Sequence, residues 1–162
     1  MHNDPIDQPN PPPKPNNKAL VSAAQRLLAR RDYCRSEFIA KLQKADFQTD
    51  EIATAADWCH AQDFLNESRY TASTSRRLGS KYGVQRVAHT LRQKGVTEDH
   101  VAIAIDTLRQ SESTRAYALW ARRFRTIAET PEEKSRQIRY LQARGFGFAV
   151  IKHVMAGGEV VM

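Results

Sequence analysis

The string Leu91-Arg92-Gln93-Lys94-Gly95-Val96 has two relatives in the same chain, Leu42-Gln43-Lys44-Ala45-Asp46-Phe47 and Leu141-Gln142-Ala143-Arg144-Gly145-Phe146, spaced 49 and then 50 residues apart. Each is followed, five residues after its last apolar residue, by another apolar side chain: Ile52, Val101 or Ile151. The pattern reads as one helix ending and the next beginning. If Asp46, Gly95 and Gly145 take the left-handed conformation just past a helix, then Phe47, Val96 and Phe146 fall where a Schellman cap places an apolar residue, against Leu42, Leu91 and Leu141. Glycine enters that conformation freely, and aspartate tolerates it better than most residues. One such string ends many unrelated helices. Three in register define a tandem repeat, and units of this length stack, each burying a face that its neighbour completes.

The rest of the chain fits nine helices in three sets of three. Residues 1–17 hold six of the seven prolines and one aliphatic side chain, Ile6. Such a segment buries too little to offset its ordering entropy and reads as a disordered tail. The first repeat, 18–65, opens with Leu20, Ala24, Leu27 and Leu28 on one helical face. Ser36 is the expected cap of its second helix and Thr49 of its third, with Asp50 and Glu51 set favourably against the macrodipole. The second repeat, 66–112, opens at Asn66, breaks at Gly79 to Gly83, and continues with Val84, Val87 and Leu91 and then Val101, Ile105 and Leu108 at helical spacing. The third, 113–157, offers Tyr117, Trp120 and Phe124 as inward residues, and residues 158–162 form a short tail. Its clearest helix start is Thr130-Pro131-Glu132-Glu133, which combines a capping threonine, proline at the first helical position and glutamate three residues after the cap.

The charge is unevenly placed. The chain carries +7 overall, which favours an acidic partner. Residues 18–65 are neutral, whereas 66–96 hold seven basic side chains against one acidic and 113–146 hold eight against three. Arg76, Arg77, Lys81 and Arg86 flank the glycine turn and are placed to converge on one phosphate track or acidic groove. Arg122, Arg123 and Arg125, with Arg136, Arg139 and Arg144, form a second cluster. Aromatics lie among these charges, but at helical spacing they read first as core.

Other chemistries find no footing. The five histidines show no ligand spacing, and Cys34 and Cys59 form no CxxC pair, so no metal site is expected. Two isolated cysteines without a secretory signal are expected to be reduced thiols. There is no glycine-rich phosphate loop: Gly145-Phe146-Gly147 lacks a third glycine and a preceding strand. No run of 18 to 20 apolar residues suits a membrane span. No catalytic constellation is visible, and an enzyme is not expected.

The chain resembles the RecX family, bacterial regulators of the RecA recombinase. The resemblance covers about residues 19 to 155. It rests on Asp57-Trp58-Cys59-His60 leading to Phe64-Leu65-Asn66-Glu67-Ser68-Arg69-Tyr70, on Gly83-Val84-Gln85-Arg86-Val87 with Leu91-Arg92-Gln93-Lys94-Gly95-Val96, and on Arg139-Tyr140-Leu141-Gln142-Ala143-Arg144-Gly145-Phe146. Asn66-Glu67 stands where such proteins frequently carry two aspartates, and Asp46 where they frequently carry glycine. The resemblance implies an all-α, elongated and curved array of three tandem three-helix repeats. It also implies a cytoplasmic, non-enzymatic monomer without cofactor or metal, which lodges in the groove of the RecA filament on DNA and restrains ATP hydrolysis, strand exchange and co-protease activity.

The residues expected to contact filament and DNA phosphates are Arg76, Arg77, Lys81, Arg86, Arg92 and Lys94, with Arg122, Arg123 and Arg136 as a second group. Contact with DNA itself is expected to be weak and non-specific. Two other readings are an autonomous helical DNA-binding regulator, because a three-helix unit can place a recognition helix in a major groove, and a plain helical scaffold.

Overall fold

The computed structural model describes residues 10–158, and among these it shows nine α-helices and no strand. They are α1 (Lys18–Leu28), α2 (Arg35–Gln43), α3 (Thr49–Ala61), α4 (Glu67–Gly79), α5 (Val84–Gln93), α6 (Glu98–Arg109), α7 (Glu112–Phe124), α8 (Pro131–Gln142) and α9 (Phe148–Met155). None is long and apolar enough to cross a membrane. The chain forms two compact units, one ending at Asn66 and the other beginning at Glu67.

The three repeated strings make the same turn. Asp46, Gly95 and Gly145 have φ of 62°, 76° and 79°. The amides of Asp46, Gly95 and Gly145 donate to the carbonyls of Gln43, Arg92 and Gln142, and those of Val96 and Phe146 reach back to Leu91 and Leu141 at 3.2 and 3.3 Å. Around Gly95 and Gly145 these are the two hydrogen bonds of a Schellman cap with its apolar clasp. Val96 and Phe146 are buried, while Phe47, which follows the aspartate, is only half-buried on its core.

In the first unit α1, α2 and α3 pack around Leu20, Phe38, Leu42 and Ile52, with Ala55, Ala56 and Cys59 on the inner face of α3. Cys34 and Cys59 are free thiols, and burial pushes the Cys59 pKa up to about 11. Two helices start earlier than their sequence caps suggest. The cap positions are Cys34 and Gln48, so that Ser36 and Thr49 fall inside α2 and α3 and cap neither. Ser36 instead lies 3.2 Å from the Cys34 Sγ.

The expectation of a solvated tail through residue 17 needs correcting at its end. Asn17 caps α1 by accepting from the amides of Ala19 and Leu20, and its side-chain amide donates to Glu51. Just upstream, the Lys14 ammonium sits 6.0 Å from the Trp58 ring centroid. Residues 1–9 and 159–162, the remainder of the two expected tails, lie outside the described residues.

In the second unit α4, α5 and α6 pack mutually, and so do α7, α8 and α9, with α6 against α7. Val87, Leu91 and Val101 are fully buried in the former set, and Ala116, Trp120, Leu141 and Val154 in the latter. The Trp120 indole donates to Gln137, whose own amide donates to the Thr126 carbonyl. Thr130 caps α8 as its sequence indicates, accepting from the Glu133 amide with Pro131 at the first position.

Candidate partner interface

A buried carboxylate and a half-buried guanidinium set the frame on which the exposed arginines sit. At the start of α7, the Glu112 carboxylate accepts the Val84 amide at 2.9 Å. The cap residue of α5 is Gly83, which has no side chain to do this, so a remote carboxylate meets the positive end of the helix instead. One turn along α7, the Arg115 guanidinium donates to the carbonyls of Gly79, Tyr82 and Leu108. It therefore closes the carbonyl ends of α4 and α6 together. Desolvation lowers the Arg115 pKa, and the nearby Glu112 charge partly counters it. The same device recurs on a smaller scale where Glu67 of α4 accepts the Thr97 amide at 2.6 Å at the start of α6.

A second seam joins the α5 start to the α8 end. The Gly83 amide donates to the Arg144 carbonyl at 2.8 Å. A Cβ on Gly83 would lie 2.3 Å from the Gly145 carbonyl oxygen, and one on Gly145 would lie 2.5 Å from the Arg86 Cβ. Only glycine allows the two backbones to approach so closely.

Against this frame the first predicted group divides. Arg76, Arg77 and Lys81 are exposed around the end of α4. Arg86 stacks 4.3 Å over the Tyr82 ring and donates to the Ala143 carbonyl at 2.9 Å, so it is part of the seam. Arg92 is held by Glu98 through Nε and Nη2, at 2.8 and 2.6 Å to one carboxylate oxygen. That hydrogen bonding raises the Arg92 pKa and lowers the Glu98 pKa. Lys94, the C-cap of α5, is half-buried and already engaged. Arg76 lines a groove between α4 and α6, whereas Arg92 lines another between α5 and α6. Arg76 and Arg92 thus line different grooves.

The second group does gather. Arg123, Arg136 and Arg139 line one open cleft between α7 and α8, floored by Phe124 and Tyr140. The two rings meet edge to face at 5.1 Å. Arg136 lies 5.8 Å from the Phe124 centroid, and Arg144 stacks 3.8 Å over Tyr140. Arg122 is exposed in the same last turn of α7 as Arg123. Among the described residues none of Arg122, Arg123, Arg136 and Arg139 has a carboxylate partner. A cleft of this kind offers forked donors to phosphate or carboxylate oxygens, and ring faces or edges to flat groups.

Of the aromatics interspersed with the charges, Tyr70 and Trp120 are core residues. Sequence reasoning missed Glu112 and Arg115, and no local signal marks them. Their pairing three residues apart looks like an ordinary surface ion pair. Among the described residues no group of three histidine, cysteine or carboxylate side chains is gathered as a metal site would require.

Fold and surface together define a class: an all-α helical-repeat protein whose basic cleft carries guanidinium groups around aromatic edges. The model of the third three-helix domain of RecX matches residues 110–155, the segment that contains this cleft. The regulatory protein RecX of Leptothrix cholodnii is 36% identical over 137 residues, which cover 85% of this chain and 87% of that protein. Its counterpart from Chromobacterium violaceum is 33% identical, with 87% and 91% covered. The crystal structure of RecX from Lactobacillus salivarius superposes with a TM-score of 0.70 at 19% identity, covering 86% of this chain and 94% of that one, a likeness of fold. The chain belongs to the RecX family of regulatory proteins.

Proposed function

We propose that this protein is a modulator, mainly an inhibitor, of the RecA recombinase. It binds the RecA–DNA filament in its groove and restrains ATP hydrolysis, strand exchange and co-protease activity. It acts as a cytoplasmic monomer, by contact rather than by bond chemistry, with its three helical repeats at 18–65, 66–112 and 113–157. The observation that carries the reading is the α7–α8 cleft, where Arg123, Arg136 and Arg139 are gathered with no acidic partner among the described residues.

Uncompensated guanidinium groups on one face are costly to assemble unless a polyanion or acidic surface meets them. Arg122 extends that face, and Arg76, Arg77 and Lys81 supply exposed positive charge in the preceding repeat. Arg86, Arg92 and Lys94 contribute less, because each is already engaged within the chain.

The test is RecA-driven strand exchange with and without substoichiometric protein at low salt. Inhibition that disappears when Arg123, Arg136 and Arg139 are replaced by alanine is the expected result. Strand exchange that proceeds unchanged would defeat the proposal, and site-specific duplex binding without RecA would favour an autonomous DNA-binding regulator instead.

A further inference from the structure

The groove between α4 and α6 differs in kind from the basic cleft. Ser68, Thr71 and Ser75 of α4 face Thr107 and Ser111 across it, so its lining is rich in hydroxyl groups. Ile103, which stands in its wall, is an exposed large hydrophobic residue at 66%. Arg76 lines it too and has no ion-pair partner among the described residues.

One of these hydroxyls is anomalous. Thr71 is only 3% exposed, and its Oγ1 is buried without a hydrogen-bond partner. A buried hydroxyl left unpaired destabilises a fold unless something else uses it. Ser75 and Thr107 donate to the carbonyls of Ala72 and Ile103, which leaves their lone pairs to accept. Thr71 keeps its proton, and rotation about χ1 to another staggered position re-aims it. The groove therefore offers acceptors for N–H groups and one donor for a carbonyl. An extended chain has both groups free, whereas a helix has already paired its own.

The first repeat shows what such a groove can hold. Between α1 and α3, Trp58 and Phe64 pack with centroids 5.7 Å apart, and Pro15 of the chain's own leader lies beside them. The 49-residue spacing that relates Leu42 to Leu91 places Thr107 where Trp58 stands. The second repeat therefore has an open, hydroxylated groove where the first has aromatic rings against an extended segment. The leader brings a cation, Lys14, to its groove, whereas the α4–α6 groove supplies the cation itself through Arg76.

We propose that the α4–α6 groove docks an extended polypeptide segment of a protein partner, with a carboxylate side chain of that segment meeting Arg76 and its backbone meeting Thr71, Ser75 and Thr107. This site is separate from the α7–α8 cleft and does not depend on a polyanion binding there.

The experiment uses the full-length chain, isotope-labelled for NMR. The probe is a pool of terminally blocked hexapeptides with aspartate or glutamate fixed at the third position and Ala, Ser, Val and Leu varied elsewhere. A saturable shift of the Thr71, Ser75 and Thr107 amides is expected, at least fivefold weaker for the matching asparagine and glutamine pool. Thr107→Trp, at an exposed position, is expected to block the groove and weaken binding at least fivefold. Thr71→Val is expected to weaken binding similarly while raising the Tm by a few degrees. Replacing Arg123, Arg136 and Arg139 by alanine should leave peptide binding unchanged, so this reading and that of the basic cleft fail separately. No saturable shift, a Thr71→Val protein that gains Tm with unaltered affinity, or displacement of the peptides by oligothymidylate from the same amides would each overturn the proposal.

Discussion

The arginines of α5 and those of the α7–α8 cleft look alike in sequence and differ in availability. In the earlier set, Arg86 is tied to the Ala143 carbonyl and Arg92 to Glu98. In the later set, Arg123, Arg136 and Arg139 share a cleft with no acid to answer them among the described residues. Segment charge is therefore a poor measure of what a partner meets. A guanidinium already saturated by carbonyls or a carboxylate must give up those bonds before it can hold a phosphate, and the exchange gains little.

The sharpest way to test this division is to remove an arginine that the fold uses and a set that it does not. Arg115→Met strips donors from three carbonyls at the ends of α4 and α6, and should cost about 3 kcal/mol of stability in denaturant titration. The triple replacement of Arg123, Arg136 and Arg139 by alanine should leave the denaturation midpoint nearly in place. It should lower affinity for oligothymidylate at low salt by about fiftyfold and flatten the salt dependence by about two ion equivalents. A large loss of stability in the triple variant would break the comparison.

Glu112→Ala leaves the Val84 amide without its partner and Arg115 without its counter-charge, and should cost about 2 kcal/mol by thermal melting. The smallest effect belongs to Arg92→Ala. Its ion pair with Glu98 is exposed, so affinity for the same oligonucleotide should change less than about twofold. A tenfold loss there would show that Arg92 leaves Glu98 for the partner and would restore it to the interface.

What could be read from the sequence follows from the range over which each feature is determined. The turns at Asp46, Gly95 and Gly145 were legible because a left-handed residue and its apolar clasp lie within six positions. The α8 start was legible because Thr130, Pro131 and Glu133 settle it among themselves. Ser36 and Thr49 misled, since capping depends on where the chain enters the helix, and packing moved that entry to Cys34 and Gln48. The arginine clusters could be counted but not sorted. Whether Arg86 points to solvent or to the Ala143 carbonyl is decided by a backbone 57 residues away. The roles of Glu112 and Arg115 were invisible for the same reason: the groups they satisfy lie on other helices.

The meeting of Gly83 with the turn at Gly145 has a consequence for evolution and engineering alike. Repeat proteins commonly tolerate duplication, deletion or exchange of whole units, because each junction resembles the last. Here the α5 start and the α8 end are fitted to one another atom by atom, so a module lifted from another array would arrive without the matching notch. The later two thirds of this chain should therefore be inherited, and redesigned, as a single block.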